Sequence, residues 1–407
     1  MSRSFDGRVL LAALALASAG DAAKAPQYTV VVSAPNRAYT EAPVSLTVPK
    51  PHAVGLVRVT DLRTKAFVPA QIIDGDDHST VWWLAENLPQ GVSRTYRVTV
   101  DESPPREREN GSVKVDCRTD KSAVAITIDD RLFTRYCYGD APKPYCYPVI
   151  GPTGAPVTRA YPMANVPGEP RDHPHQRSFW FTFGEVNGID FWAEGPGKGK
   201  QVHRDLEATA EGPVLGLVRA LNDWVGPEGK KVCEDVRELR VHRVPSSRLF
   251  DFDITLRATE GPVEFGDTKE GMLGFRMATS MQVAGGQGHI VNAAGQRDGD
   301  TWGKAADWCD YTGPVNGETV GIAVFDHSRN LRHPTYWHVR DYGLFAANPF
   351  GLKDFIKDQT GAGRYTIPKG ETLTLRYRVF IHRGTAEEAK VAERYGEYAD
   401  PPTVELR

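Results

Sequence analysis

Six consecutive residues, Asp172-His173-Pro174-His175-Gln176-Arg177, bring together two imidazoles, a carboxyl and a guanidinium, and the aromatic run Ser178-Phe179-Trp180-Phe181-Thr182-Phe183 follows at once. Pro174 biases His173 toward an extended backbone, in which residues two apart project from one face. His173 and His175 are therefore expected to point together, with Arg177 close by and Trp180 in the aromatic wall beyond. Two proton carriers beside a cation and aromatic surface suit chemistry on a small polar molecule.

Other segments have the same character. Phe265-Gly266-Asp267-Thr268-Lys269-Glu270-Gly271 brackets charged groups with glycines on an expected inter-strand loop, and Arg276 follows. Trp302-Gly303-Lys304 and Trp308-Cys309-Asp310-Tyr311 set aromatic rings near a carboxylate, as sugar binding requires: rings stack on C–H faces and charged groups hold hydroxyls. The run His333 through Tyr342 adds Trp337, His338, Arg340 and Asp341. Each segment has a plainer reading: a turn-capping histidine, an exposed Lys269–Glu270 pair, or tryptophans filling a core. Their shared composition is what points to a site, because cores rarely need so many charged groups beside aromatics.

The roles follow from the chemistry. Glu270 and His175 are the candidate general acid and base, with His173 and His338 as further proton carriers. Arg177, Arg276 and Arg340 would hold carboxylate or hydroxyl oxygens. Trp180, Trp302, Trp308 and Trp337 would pack on sugar rings, and Lys269, Asp310 and Asp341 would complete the polar lining. His173 and His175 with Glu270, Asp310 or His338 could also supply three ligands to a divalent metal. No local metal signature accompanies them, so no cofactor is expected. Gly-x-Ser-x-Gly, dinucleotide and phosphate-loop fingerprints are missing as well.

These segments must be carried by β-structure. Phe252, Ile254, Leu256 and Ala258 alternate with polar residues, as do Leu373, Leu375, Tyr377, Val379 and Ile381. Short apolar runs at 28–32, 44–48, 55–59, 81–84 and 96–100 are punctuated by turn residues, the pattern of a small β-sandwich over 26–105. A polar, proline-containing linker follows. Residues 112–407 are expected to form a larger double-sheet sandwich with one helix over 385–398, capped by Thr385 and Glu388. The chain is all-β in this reading.

Composition narrows the partners. With 407 residues and a formal net charge of -3, the chain offers no basic stripe for nucleic acid. Residues 1–25 have the charge, apolar core and small-residue cleavage pattern of a signal peptide, and no later run is long enough to span a membrane. A secreted or periplasmic location follows. Among the five cysteines, Cys137 and Cys146 flank a loop and are the candidate disulfide pair.

The histidine segment, Gly266-Asp267-Thr268-Lys269-Glu270-Gly271, Trp302-Gly303-Lys304 and the run from His338 to Pro349 together resemble the bacterial family labelled "PmoA family protein" or "methane oxygenase PmoA", from about Tyr145 onward. The label does not suit the residues, since the monooxygenase subunit it names is built of membrane-spanning helices. The resemblance implies an exported protein of polysaccharide-processing bacteria with a galactose-mutarotase-like supersandwich. The family motif is usually written with two adjacent histidines followed by Arg-Gly; Gln176 and Ser178 stand in place of the second histidine and the glycine. The expected function is acid–base chemistry on a sugar or oligosaccharide, of glycoside hydrolase, lyase or epimerase type. Non-catalytic glycan binding and metal-dependent oxygenation are the alternatives.

Overall fold

In a computed structural model the chain is described over residues 26–50, 57–100, 111–139 and 141–407. The expected signal peptide, most of the linker and the start of the expected strand at 55–59 lie outside the described residues. The fold is all-β, as alternation predicts. Among the described residues no helix is long and apolar enough to cross a membrane.

Two antiparallel eight-stranded sheets form the larger body. The first runs, edge to edge, Tyr336–Val339, Leu344–Asn348, Gly271–Arg276, Phe179–Phe183, Tyr145–Cys146, Arg131–Cys137, Ala123–Ile128 and Val113–Asp116. The second runs Lys200–Ala210, Leu215–Val225, Lys231–His242, Arg248–Arg257, Thr372–Arg383, Glu318–Asp326, Trp308–Val315 and His289–Asn292. Period-two patterning decides what lies between them. Phe179, Phe181, Phe275 and Phe345 of the first sheet share one core with Phe250, Phe252, Ile254 and Tyr377 of the second. Ring centroids of Phe179 and Phe252 are 5.0 Å apart, edge to face.

The alternate residues of the first sheet face outward onto a second, smaller apolar layer. Tyr145, Trp180, Leu344 and Ala346 form it with Trp192 and are packed by Tyr342 and Met163. Gly274 is required here, because a Cβ would lie 2.6 Å from the Trp180 indole. This outer face, roofed by loops, carries the candidate site.

The N-terminal strands build a separate small sandwich with its own core, including Val30, Trp83, Tyr96 and Val98. Its five-stranded sheet contains an element from the far end of the chain. Thr403–Leu406, which the sequence places in the larger body, pairs antiparallel with Gln27–Ser33. The buried Gln71 amide oxygen accepts from the Val214 and Leu215 backbone amides at 3.0 and 2.8 Å, tying the small sandwich to the large one.

The terminal helix is shorter than expected. Thr385 and Glu388 form the reciprocal cap, with the Thr385 amide donating to the Glu388 carboxylate at 2.8 Å. Lys390 then adopts a left-handed φ of +55°, which interrupts the run, and the α-helix itself is Val391–Ala399. The cysteines are another departure: no disulfide joins any of the five. Cys146 packs between the two sheets while Cys137 packs against the outer layer, so their side chains leave neighbouring strands on opposite faces.

Candidate active site on the outer face of the first sheet

Arg159 builds the histidine loop. Its guanidinium is buried and donates to the carbonyls of Tyr161, Pro170, Asp172 and His173 at 3.0–3.3 Å, and to the Asp172 carboxylate. The Glu169 carboxylate closes the other side by accepting from the Ala160 and Tyr161 amides. Five guanidinium donors are enough to satisfy a loop whose carbonyls have no strand partner.

Within this loop His173 is not extended. Its φ is +44°, and its carbonyl accepts from the Gln176 amide at 3.0 Å in a tight turn. The preference imposed by Pro174 is outweighed by the bonds that Arg159 makes to the carbonyls on either side. The two imidazoles nevertheless meet, as expected, with ring centroids 5.7 Å apart.

Each ring has a distinct environment. His173 is exposed, lies parallel to the Tyr342 phenol at 5.2 Å, and has its Nδ1 3.0 Å from the Asp172 carboxylate. His175 is half-buried against Trp192, at 6.2 Å. Burial, followed by the Lys143 and His173 charges, lowers its pKa to about 4, so its imidazole is neutral near pH 7.

Beneath them sit buried ions in unequal numbers. Arg276 donates to both oxygens of Asp172 at 2.9 and 3.1 Å, and to the Gln176 amide oxygen. Partial burial acts to raise the Asp172 pKa, but the Arg276 charge and the hydrogen bonds of His173, Arg159 and Arg276 bring it down to about 2. Two arginines thus share one carboxylate. A second group repeats the ratio: Glu194 receives Arg177 through two bonds, at 2.9 and 2.8 Å, and Lys143 at 2.9 Å. Burial brings the Lys143 pKa down to about 8 against the pull of Glu194.

The remaining segments arrive along the neighbouring strands. The loop at 266–270 folds over the outer face: the Asn348 amide donates to the Thr268 carbonyl at 3.0 Å, and the Lys269 amide donates to the Asp354 carboxylate at 2.9 Å. Glu270 pairs with Lys269 at 3.2 Å and contributes to the electrostatic environment of Tyr342. His338 is buried on the strand beside it; burial first, then nearby cations, lowers its pKa to about 3, against the hydrogen bond at the Lys269 backbone. Trp302 stands 6.5 Å from the His338 ring, and the Arg340 guanidinium lies 5.8 Å from the Trp302 ring and 5.9 Å from that of Tyr342.

Several expected residues fall elsewhere. Trp337 is 0% exposed and belongs to the core between the sheets, and Trp180, 1% exposed, is the floor beneath Trp192. Neither has a face left for a sugar. Trp308 and Asp310 lie on the second sheet, pointing away from the first, since their neighbours Cys309 and Tyr311 fill the core between sheets. Asp310 is instead paired with His382 at 2.8 Å, and Trp308 packs near the terminal helix. A metal set combining Asp310 with the loop histidines is therefore not assembled, and no group of three His, Cys, Asp or Glu suited to a metal occurs among the described residues. Asp341 is exposed, and its carbonyl accepts from the Tyr311 hydroxyl.

Other members of the site carry no individual signal in the sequence. Arg159, Trp192, Glu194 and Lys143 lie outside the motif segments, and Tyr342 and Asp172 stand inside them without an assigned role. Cavities of about 510 and 520 Å3 lie elsewhere, one beside Phe67 and Arg243 and one beside Ile189 and Lys231; neither is lined by the histidine loop.

A family model described as "Family of unknown function (DUF6807)" matches residues 123–396. No curated protein matches the chain. Among solved structures, a protein in the Glycosyl Hydrolase Family 38 from Enterococcus faecalis is similar at 11% identity and a TM-score of 0.43, covering 94% of this chain and 47% of that one. An alpha-mannosidase from Enterococcus faecalis V583 is similar at 10% identity and a TM-score of 0.44, covering 94% and 46%. The chain thus spans about half the length of these structures.

Proposed function

The chain belongs to the DUF6807 family, of unknown function, and from that premise we propose that it is an exported carbohydrate-active protein performing acid–base chemistry on a sugar bound at the outer face of the first sheet. Its resemblance to the PmoA-labelled family is part of the same proposal. The observation that carries it is the pairing of a neutral, half-buried imidazole at His175 with the Tyr342–His173 stack, above a floor of ordered arginines.

The reaction class is one in which one group removes a proton and another supplies one: from water and to the leaving oxygen in glycoside hydrolysis, from a sugar carbon and to the leaving oxygen in elimination, and from and back to the same carbon on opposite faces in epimerisation. His175 accepts the proton as a neutral imidazole; its low pKa makes the imidazolium ready to give it back. Glu270, on the neighbouring loop, is the candidate second proton carrier. His173 is kept in place by Asp172 and Tyr342 and relays charge to solvent. Arg276 is held through its terminal nitrogens by Asp172 and Gln176 and lies 4.7 Å from the Tyr342 ring, so it orients Tyr342. Gln176, 1% exposed, is a positioning residue in the same sense. Its place is too buried for a proton carrier that must meet substrate, so the departure from the usual histidine leaves the proposed chemistry intact.

The test is mass spectrometry of products after incubating the protein with plant, algal and bacterial glycans, beside His175→Ala and Glu270→Gln. New sugar products that vanish in both variants support the reading. Glycan binding with no products from any protein would replace catalysis with recognition.

A further inference from the structure

The outer face is unevenly charged, and at one corner of it cations gather without carboxylate partners. Asp172 answers both Arg159 and Arg276, and Glu194 answers both Arg177 and Lys143. Glu270 answers Lys269. Arg340 and Lys357 have no carboxylate within ion-pair distance among the described residues, yet both are gathered at one indole. The Arg340 guanidinium lies 5.8 Å and the Lys357 ammonium 5.9 Å from the Trp302 ring.

Two polar atoms at the same place are buried without a partner. Trp302 Nε1 and His338 Nδ1 have no hydrogen-bonding partner within the protein, and His338 is only 3% exposed. A buried donor such as Trp302 Nε1, or a buried acceptor such as Nδ1 of a neutral His338 whose other nitrogen bonds the Lys269 backbone, costs about 1–3 kcal/mol when left unpaired, so such atoms point to a ligand that completes them. Two carboxylates of this corner have partners of their own: Asp354 accepts the Lys269 amide, and Glu270 holds the Lys269 ammonium; Asp341, next to Arg340 in the chain, is exposed.

We propose that the sugar taken by this site is acidic, a uronate whose carboxylate sits against Arg340 and Lys357 beside Trp302 while its hydroxyls reach Trp302 Nε1 and His338 Nδ1. The inference rests on the carbohydrate reading above and narrows it to one substrate class. A neutral sugar would leave both cations uncompensated. A carboxylate gains two charge-assisted contacts, which are the stronger kind of hydrogen bond.

The test is titration calorimetry of the full chain with oligomers of galacturonate, mannuronate, guluronate and glucuronate. Each is run beside its carboxyl-reduced form, with dextran and dextran sulfate as controls. The expected result is that at least one uronate binds and that carboxyl reduction weakens it by about tenfold or more. Arg340→Gln and Lys357→Gln should each reproduce part of that loss, weaken the reduced form less than the uronate, and leave the circular dichroism spectrum unchanged. Equal affinity for the reduced form overturns the inference, as does dextran sulfate binding as tightly as the uronate. Binding of neutral glycans alone overturns it while the carbohydrate reading stands. A folded protein that binds none of these glycans overturns both.

Discussion

His173 lies flat on Tyr342, with ring planes 7° from parallel, and Tyr342 is in turn covered by the Arg276 guanidinium at 4.7 Å. An exposed imidazole that would otherwise sample several rotamers is thereby held in one. Stacked aromatic pairs are worth about 0.5–1.5 kcal/mol beyond the area they bury. Tyr342→Leu is expected to cost about 1 kcal/mol in urea denaturation and to shift the His173 ring resonances. Tyr342→Phe keeps the stack and should leave those resonances near their original positions. An unchanged His173 signal in the leucine variant would dissociate the two residues.

Five histidines among the described residues make stability fall on acidification, since burial also lowers the pKa values of His203 and His242. His175 and His327 have pKa values lowered to about 4, and His338 to about 3, burial being the largest cause in each. In the unfolded chain they titrate near 6.5. Between about pH 6.5 and 4 the unfolded state binds protons that the folded state refuses, so stability decreases as pH falls through that window. His382 and His333 act in the opposite sense. The partners Asp310 and Asp326 raise their pKa values, giving stability that is present below about pH 6.5 and lost at higher pH. The His338→Gln variant should flatten the acid limb of a melting-temperature profile, by on the order of 1–3 kcal/mol across the window. An unaltered slope would show that His338 is not a main source.

Arg159 is the single side chain most responsible for the shape of the histidine loop. Arg159→Met would leave the Asp172 carboxylate short of one cation and several carbonyls without donors. Breaking a fully buried pair from one side costs about 3–5 kcal/mol, and the 41% exposure of the Asp172 side chain reduces this to about 1–3 kcal/mol here. Chemical denaturation should report a loss of that order, and hydrogen exchange should show faster amide exchange over residues 170–177 than elsewhere. Uniform exchange across the protein would make the loop an ordinary part of the global unfolding unit.

Two tryptophans should separate binding from packing. Trp302→Ala is expected to weaken glycan binding by about tenfold with little effect on melting, since a partly exposed ring is lost. Trp337→Ala removes a core ring whose Nε1 donates to the Ala306 carbonyl at 2.9 Å, and should cost about 3–5 kcal/mol of stability. Similar stability losses in both would contradict the placement of Trp302 at a ligand site.

Alternation made the fold class legible: the Phe252, Ile254 and Leu256 side chains that read as one buried face are the ones that fill the core between the sheets. The site was legible where its parts are close in sequence. His173, His175, Glu270, His338 and Arg340 all serve one sheet face. Sequence proximity does not reveal which of two sheets, or which face, a strand presents. Trp308 and Asp310 share the composition of the other segments but project from the far side of the second sheet. Arg159 and Lys143 escaped notice for a related reason. They bond to residues 13 and 51 positions away, and no local pattern records such partners.

The Ser178 substitution has a local explanation. Its φ of +52° lies where glycine is at ease, the residue that the PmoA-type motif would have here; the serine hydroxyl sits 2.7 Å from that of Thr158, and this contact helps to offset the strain.

The pairing of Thr403–Leu406 with Gln27–Ser33 has a consequence for biosynthesis. Most of the small sandwich emerges from the ribosome before the larger body, yet one of its edge strands is made only after the whole larger body has been translated. Until then the Gln27–Ser33 strand presents an unpaired backbone edge, the kind of surface that recruits stray strands. The sandwich begun before the larger body is thus completed after it, and the larger body must fold beside a neighbour still waiting for this edge strand.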